Sequence, residues 1–144
     1  MKGKQRVLFL CTHNSARSQM AESWLRHLAA DRFEVASAGT EATRVRPLAI
    51  QAMDEDGVDL RGHTSKTLER FLPEPWDYVI TVCDDANEAC PFFPGGKRRL
   101  HWSFPDPSKA TGSEEEQLTV YRAVRDAIRR RIDTFLADPA DRRS

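Results

Sequence analysis

The sequence has no long hydrophobic run and no excess of charge of either sign. Its N-terminal apolar stretch, Val7 to Leu10, is far too short for a signal peptide or a membrane span, which needs about 20 apolar residues. We therefore expect a cytoplasmic protein without a membrane partner. The 22 basic and 22 acidic side chains give a formal net charge of zero, so there is no general electrostatic reason to bind nucleic acid.

Cysteine is also scarce, because the chain has only Cys11, Cys83 and Cys90. An odd number argues against a closed set of structural disulfides. In a reducing compartment thiols are more often catalytic, metal-binding or inert. The sequence around each cysteine must decide between these roles.

Internal repeats, low-complexity tracts and dividing linkers are absent from the 144 residues. We therefore expect a single domain over residues 1–144, and a monomer.

Hydrophobic periodicity predicts strands that alternate with helices. Pro47 and Gly57 bracket the second helix, and Ser113 with Glu116 forms a capping box ahead of a long final helix. The predicted strands cover residues 6–10, 33–38, 77–82 and 98–102; the first two helices cover 17–30 and 47–55, and a short helical piece ends before Pro73. This order predicts an α/β fold, with a single open, mostly parallel four-stranded sheet flanked by helices on both faces.

Three reactive or ionisable side chains lie just after predicted strands. Cys11 follows the first strand, Cys83 follows the third, and Asp106 lies just past the fourth. Because the carboxyl ends of parallel strands meet at one edge, where open α/β sheets bind ligands, we expect these residues to lie close together.

The segment between the first strand and the first helix is typical of an oxyanion-binding loop. A short loop that turns into a helix can point several backbone N–H groups at one centre, and the helix dipole adds to their field. Arg17 can grip two oxygens of the anion, and a thiolate of Cys11 beneath it would be a nucleophile aimed at its central atom. The predicted loop comprises Thr12, His13, Asn14, Ser15, Ala16, Arg17 and Ser18.

Two loop side chains have more specific expected roles. We expect Ser18 to hydrogen-bond the thiolate, and Asn14 to brace the loop through its own backbone. The alternative interpretation is that Cys11 is a small buried hydrophobic residue at a strand end, a common role of cysteine.

Several motifs together resemble the low-molecular-weight protein tyrosine phosphatase family. They are residues 11–18, residues 19–22, Ser37-Ala38-Gly39-Thr40, His63-Thr64-Ser65 and Asp106-Pro107. More narrowly, residues 81–85, Cys90-Pro91 and His101-Trp102 are similar to the thioredoxin-coupled arsenate reductases built on that fold. The resemblance runs from Arg6 to the last helix, nearly the whole chain.

This resemblance implies reduction of arsenate to arsenite, with no cofactor and no catalytic metal. Cys11 is implied to form a covalent arsenic adduct, Cys83 to form a disulfide with Cys11 while arsenite leaves, and Cys90 to take over that disulfide for thioredoxin to reduce. Arsenic gains two electrons, which a thiol pair supplies by becoming a disulfide. Asp106 is the implied general acid, and phosphate and sulfate are the implied competing oxyanions.

The separation of Cys83 and Cys90 predicts a structural change on oxidation. Seven residues of regular helix span about 10.5 Å, whereas the Cα atoms of a disulfide lie roughly 4.4 to 6.8 Å apart. If residues 83–90 are helical in the reduced protein, oxidation must unwind or loop out the segment. The polar residues Asp84, Asp85, Asn87 and Glu88 suit a marginally held segment.

Other interpretations of the same residues stay open. Cys83 and Cys90 are consistent with two unrelated structural thiols, or with a zinc site that includes His101, although the usual ligand spacing is lacking. Asp106 lies between two prolines, where aspartate is commonly a turn residue.

Two other functions also remain. A plain tyrosine phosphatase needs only the Cys11 loop and Asp106, but Ser108-Lys109 replaces the aromatic pair that such phosphatases often have after Pro107. A non-catalytic oxyanion or redox-sensing module would use the same thiols to bind a partner.

Lys66 departs from the reductase pattern. Some reductases of this kind bind potassium through residues that match Asn14, Glu22 and Ser37, together with an aspartate where this chain has Lys66. Because an ammonium group can replace the ion, we predict no potassium site.

Overall fold

In the computed structural model, which describes residues 3–84 and 90–138, the strands form one sheet in the order β2-β1-β3-β4. The strands are β1 (Gln5–Cys11), β2 (Phe33–Gly39), β3 (Tyr78–Thr81) and β4 (Arg98–His101), and the α-helices are α1 (Arg17–Ala29), α2 (Pro47–Glu55) and α3 (Glu114–Ala137). Each neighbouring pair of strands is parallel. The predicted α/β fold with an open four-stranded sheet is confirmed.

The central strand β1 is buried on both faces, because successive side chains of a strand point in opposite directions. Val7 and Phe9 belong to a core cluster that includes the apolar faces of all three α-helices. Leu8 and Leu10 belong to a second cluster on the other face. The 3-10 helix Leu68–Phe71, which corresponds to the predicted short helical piece, contributes to this second cluster.

The final helix α3 packs through one apolar stripe. Its capping box is present, with the Ser113 hydroxyl accepting from the Glu116 amide at 3.1 Å and the Glu116 carboxylate accepting from the Ser113 amide at 3.1 Å. The buried stripe consists of Leu118, Tyr121, Val124, Ile128, Ile132 and Phe135.

No helix in the described ranges is both long and apolar enough to cross a membrane.

Strand register brings the predicted reactive residues to one edge of the sheet. Leu10 pairs with Thr81, and the Val82 amide donates to the Leu10 carbonyl at 2.9 Å. Cys11, the last residue of β1, and Cys83, two residues after β3, therefore lie at the carboxyl ends of adjacent strands.

Candidate active site

Cys11 is the last residue of β1 and is the free thiol, 2% exposed. Its Sγ lies 2.8 Å from the Ser18 Oγ. The predicted contact between the two side chains is confirmed. Because Ser18 lies in the first turn of α1, the helix N-terminus is held directly beside the sulfur.

The start of α1 is left open to an anion. Its N-cap is Ala16, and no side chain among the described residues caps it. The first amides of a helix have no partner within the helix and together form an anion site when uncapped. A small residue at position 16 thus serves the predicted oxyanion loop better than a capping serine or aspartate would.

The backbone of the loop is anchored from outside through its carbonyls. The Thr12 carbonyl accepts from the Glu41 amide at 3.1 Å, and the Ser15 carbonyl accepts from the Arg46 amide at 2.9 Å. The His13 carbonyl accepts from the Ser65 hydroxyl at 3.0 Å. Carbonyl groups committed to neighbouring segments do not oppose a bound anion.

Arg17 is buried and joins the loop to the segment after β4. Its Nη1 donates to the Phe104 carbonyl at 3.1 Å, and its Nη2 lies 3.7 Å from the Asp106 Oδ2. The side chain is only 3% exposed. The structure therefore brings the predicted general acid to the predicted oxyanion loop.

The Asp106 carboxylate is oriented by the residue two positions later. Its Oδ1 accepts from the Ser108 amide at 2.9 Å and from the Ser108 hydroxyl at 2.6 Å. These bonds begin the 3-10 helix Pro107–Lys109, which is too short for hydrophobic periodicity to predict. One oxygen of Asp106 therefore stabilises a turn, and the other faces Arg17.

Asn14 braces the loop through its side chain, which bonds to neighbouring residues with every polar atom of its amide engaged, whereas the expectation was bracing through its own backbone. Its backbone lies in the left-handed region, at φ 49°, which few residues other than glycine adopt. Its Nδ2 donates to the hydroxyls of Ser18 at 2.8 Å and Ser37 at 2.9 Å. Its Oδ1 accepts from the Lys66 amide at 2.8 Å and the Gln19 Nε2 at 2.9 Å. Two donors and two acceptors are the full capacity of an amide side chain.

Gly39 matters for a reason that the sequence motif alone does not reveal. A Cβ at this position would lie 2.7 Å from the Asn14 amide nitrogen, 2.7 Å from the Thr12 carbonyl oxygen and 2.8 Å from the Cys11 carbonyl oxygen. Only a residue without a side chain lets the loop pass so close to the end of β2. In the sequence, the only sign of this role is a glycine at the end of a predicted strand.

Lys66 lies among the residues that the resemblance would give to potassium. Its Nζ donates to the Thr64 carbonyl at 2.9 Å and lies 3.9 Å from the Glu22 carboxylate. The same carboxylate accepts from Ser37 at 2.5 Å and pairs with Arg26 at 2.7 Å. Burial lowers the pKa of Lys66, and Glu22 acts in the opposite direction. The residues present do not fit a bound potassium ion, because the protein supplies its own cation there.

Exchanging sodium for potassium at equal ionic strength is expected to leave the thermal stability of the protein unchanged. Lys66→Asp should lose about 1 to 3 kcal/mol of stability in sodium, because a buried carboxylate loses a partner cation and gains a like charge, and potassium should restore part of that loss. Thermal unfolding in the two salts measures both effects. Lys4→Asp, at an exposed position, is the matched control, and a wild-type protein stabilised by potassium would contradict this account.

Cys83 and Cys90 form a disulfide with a Cα separation of 5.9 Å. This separation lies within the range that disulfide-bonded Cα atoms adopt. Asp85, Asn87 and Glu88 lie outside the described residues. Cys83 and Cys90 are therefore paired with each other, while Cys11 is a free thiol.

The chain matches known proteins over most of its length. The family model for low molecular weight phosphotyrosine protein phosphatases matches residues 6–142. An arsenate reductase of Halalkalibacterium halodurans is 48% identical over 132 residues, which cover 92% of this chain and 95% of that protein.

Solved structures agree with this match. A solved arsenate reductase in its oxidized state is 34% identical with a TM-score of 0.77, covering 92% of this chain and 97% of that one. A thioredoxin-dependent arsenate reductase of Corynebacterium glutamicum is 29% identical with a TM-score of 0.65, covering 94% of this chain and 63% of that one. The resemblance inferred from the motifs is confirmed.

Proposed function

The chain belongs to the low molecular weight phosphotyrosine protein phosphatase family, and we propose that it is an arsenate reductase regenerated by thioredoxin. The pairing of its cysteines carries the proposal. Hydrolysis of a phosphoester has no use for a disulfide, whereas a thiol relay that starts at Cys11 ends with a Cys83–Cys90 disulfide and a free Cys11. That arrangement corresponds to the last state of the relay before thioredoxin acts.

The first step uses the loop. Arsenate binds between the start of α1 and the Arg17 guanidinium, where phosphate and sulfate compete because they have similar shape and charge. The Cys11 thiolate attacks arsenic and one oxygen leaves as water, which Asp106 assists by giving up a proton from Oδ2. Ser18 holds the sulfur at the start of this step.

The second step is the redox step. Cys83 attacks the Cys11 sulfur, the sulfur–arsenic bond breaks, and its electron pair leaves with arsenic as arsenite. Arsenic is thereby reduced from the +5 to the +3 state, and two thiols are oxidised to the Cys11–Cys83 disulfide. No separate cofactor is needed, because the thiols supply both electrons.

The third step carries the disulfide outward. Cys90 attacks Cys83, which frees the Cys11 thiolate and leaves the Cys83–Cys90 disulfide. Cys11 is buried, whereas Cys90 is half-buried, so the transfer brings the disulfide within reach of a protein thiol. Thioredoxin reduces it by the same exchange chemistry, which suits a cytoplasmic enzyme.

Phosphatase activity is the second candidate function, favoured by the family match and by the contact of Arg17 with Asp106 at 3.7 Å. The same loop and acid would form a phosphocysteine and hydrolyse it with water. On the present proposal this activity is a weak side reaction, because nothing in it requires Cys83 or Cys90.

The proposed function is tested by following arsenite production with thioredoxin, thioredoxin reductase and NADPH. Wild-type protein is expected to turn over many times and to prefer arsenate to 4-nitrophenyl phosphate by its kcat/KM. Cys11→Ser should lose both activities. Efficient phosphatase turnover without arsenite production would assign the chain to the phosphatases instead.

A further inference from the structure

An open groove lies beside the Cys83–Cys90 disulfide, at the edge of the sheet that β4 forms. Strands β3 and β4 contribute Thr81 and His101 to its lining, and the segment after Cys90 contributes Phe92. A ring nitrogen of His101 lies within 4.8 Å of both disulfide sulfurs. A protein seated in this groove would therefore lie within reach of the disulfide.

Phe92 exposes an apolar ring that belongs to neither core cluster. It is 74% exposed, more than any other large hydrophobic side chain in the part of the chain that the structure describes. An isolated side chain of this kind needs no explanation, but Phe92 lines a groove whose surface is mostly apolar. Aromatic side chains are enriched in protein–protein interfaces, where each ring can bury roughly 150 to 250 Å². The groove therefore has the character of a protein-docking surface.

The ring of Phe92 is held in place before any partner arrives. The next residue, Phe93, is 2% exposed and belongs to the second cluster, so it anchors the chain directly beside Phe92. The Arg99 Nη1 donates to the Phe93 carbonyl at 3.4 Å. The guanidinium carbon of Arg99 lies 5.5 Å from the centre of the Phe92 ring, a cation–π distance. A contact that is ordered in advance loses less conformational freedom when a partner covers it.

The redox state of the protein indicates which partner the groove accepts. The groove and the Cys83–Cys90 disulfide are present together, and on the proposed function this disulfide is the bond that thioredoxin reduces. Cys83 is buried and Cys90 is half-buried, so a protein thiol must approach through the surface around Cys90.

We propose that thioredoxin docks in this groove, with Phe92 as its main apolar contact, before thiol exchange begins. Docking itself makes and breaks no covalent bond. The inference rests on the proposed function, because it takes thioredoxin as the partner. It adds the surface that distinguishes a protein reductant from a small thiol.

The test measures how fast reduced thioredoxin opens the preformed disulfide of the oxidised chain, with free thiols trapped by alkylation and counted by mass spectrometry. Phe92→Ala should lower the second-order rate constant at least about tenfold, because it removes an aromatic contact from the interface. The rate with dithiothreitol should not change, since a small thiol needs no docking surface. Leu72→Ala, at the other exposed large hydrophobic side chain among the described residues, is the matched control and should change neither rate.

Phe92→Ala reduced by thioredoxin as fast as the wild type would overturn the proposal. An equal loss of rate with dithiothreitol would also overturn it, by placing the effect in the disulfide itself. Sedimentation of the oxidised protein tests a second copy of the chain as the occupant. A wild-type dimer that Phe92→Ala converts to a monomer, with the thioredoxin rate unchanged, would assign the groove to that copy.

None of these rates requires arsenate, so the two proposals can fail separately. If thioredoxin reduces the wild-type disulfide no faster than dithiothreitol does, regeneration by thioredoxin fails, and the docking proposal fails with it. If thioredoxin is fast with the wild type and equally fast with Phe92→Ala, the docking proposal alone fails.

Discussion

Cys90→Ser is expected to limit arsenate reduction to about one arsenite per chain. Cys11 and Cys83 remain able to complete the first two steps, but the resulting disulfide includes Cys11, which is 2% exposed. Thioredoxin needs direct access to a disulfide sulfur to reduce it. Rapid-quench measurement of arsenite should show a single burst, followed by a steady-state rate at least about 100-fold below that of the wild type.

Two comparisons define what this result means. Cys11→Ser should show no burst, because the first covalent bond cannot form. Cys90→Ser should keep any hydrolysis of 4-nitrophenyl phosphate, because the loop and Asp106 are intact. Steady-state arsenate turnover by Cys90→Ser at the wild-type rate would exclude the relay.

Gly39→Ala is expected to disable the site without replacing any reactive side chain. The new Cβ would lie under 3.0 Å from three backbone atoms of the segment Cys11 to Asn14, so the loop must move. A shift of about 1 Å at a catalytic group costs on the order of 100-fold in rate, and overpacking costs about 1 to 3 kcal/mol of stability. Arsenate turnover, calorimetric phosphate binding and chemical unfolding measure the three effects.

Gly62→Ala is the matched control for this substitution, because no atom lies within 4 Å of a Cβ built there. It should keep wild-type phosphate affinity and turnover. Phosphate binding by Gly39→Ala as tight as that of the wild type would show that the loop does not depend on this close approach.

Elements with strong local signals were predictable from the sequence. The helix α2 has the predicted bounds, Pro47–Glu55, because proline fixes its first turn and Gly57 follows its end. The strand β3 is shorter than the predicted 77–82 and runs from Tyr78 to Thr81, because an apolar run does not show where strand pairing ends. The order of the strands was not predictable, since it depends on contacts between distant segments.

Some features of the site were predictable from the sequence, and others were not. The positions of Cys11, Cys83 and Asp106 at one edge followed from strand ends and parallel topology. The anchoring of Arg17 by the Phe104 carbonyl did not, because these residues are 87 positions apart and a backbone carbonyl has no residue signature. Gly39 was part of a motif, but its role appears only when its distance to the loop is known.

The pairing of the cysteines could not be derived from spacing, because three thiols allow three different disulfides. The resemblance implied an order of exchange, and the Cys83–Cys90 bond supports its last state. Formation of the Cys11–Cys83 disulfide is the step that would distinguish a reductase from a phosphatase with an accessory disulfide.

The most direct test of the relay is mass spectrometry of Cys90→Ser after one exposure to arsenate, with free thiols alkylated and the protein digested. The account predicts a disulfide-linked peptide pair containing Cys11 and Cys83, in nearly equal amount to the arsenite released. Arsenite release with both Cys11 and Cys83 alkylated as free thiols would contradict it.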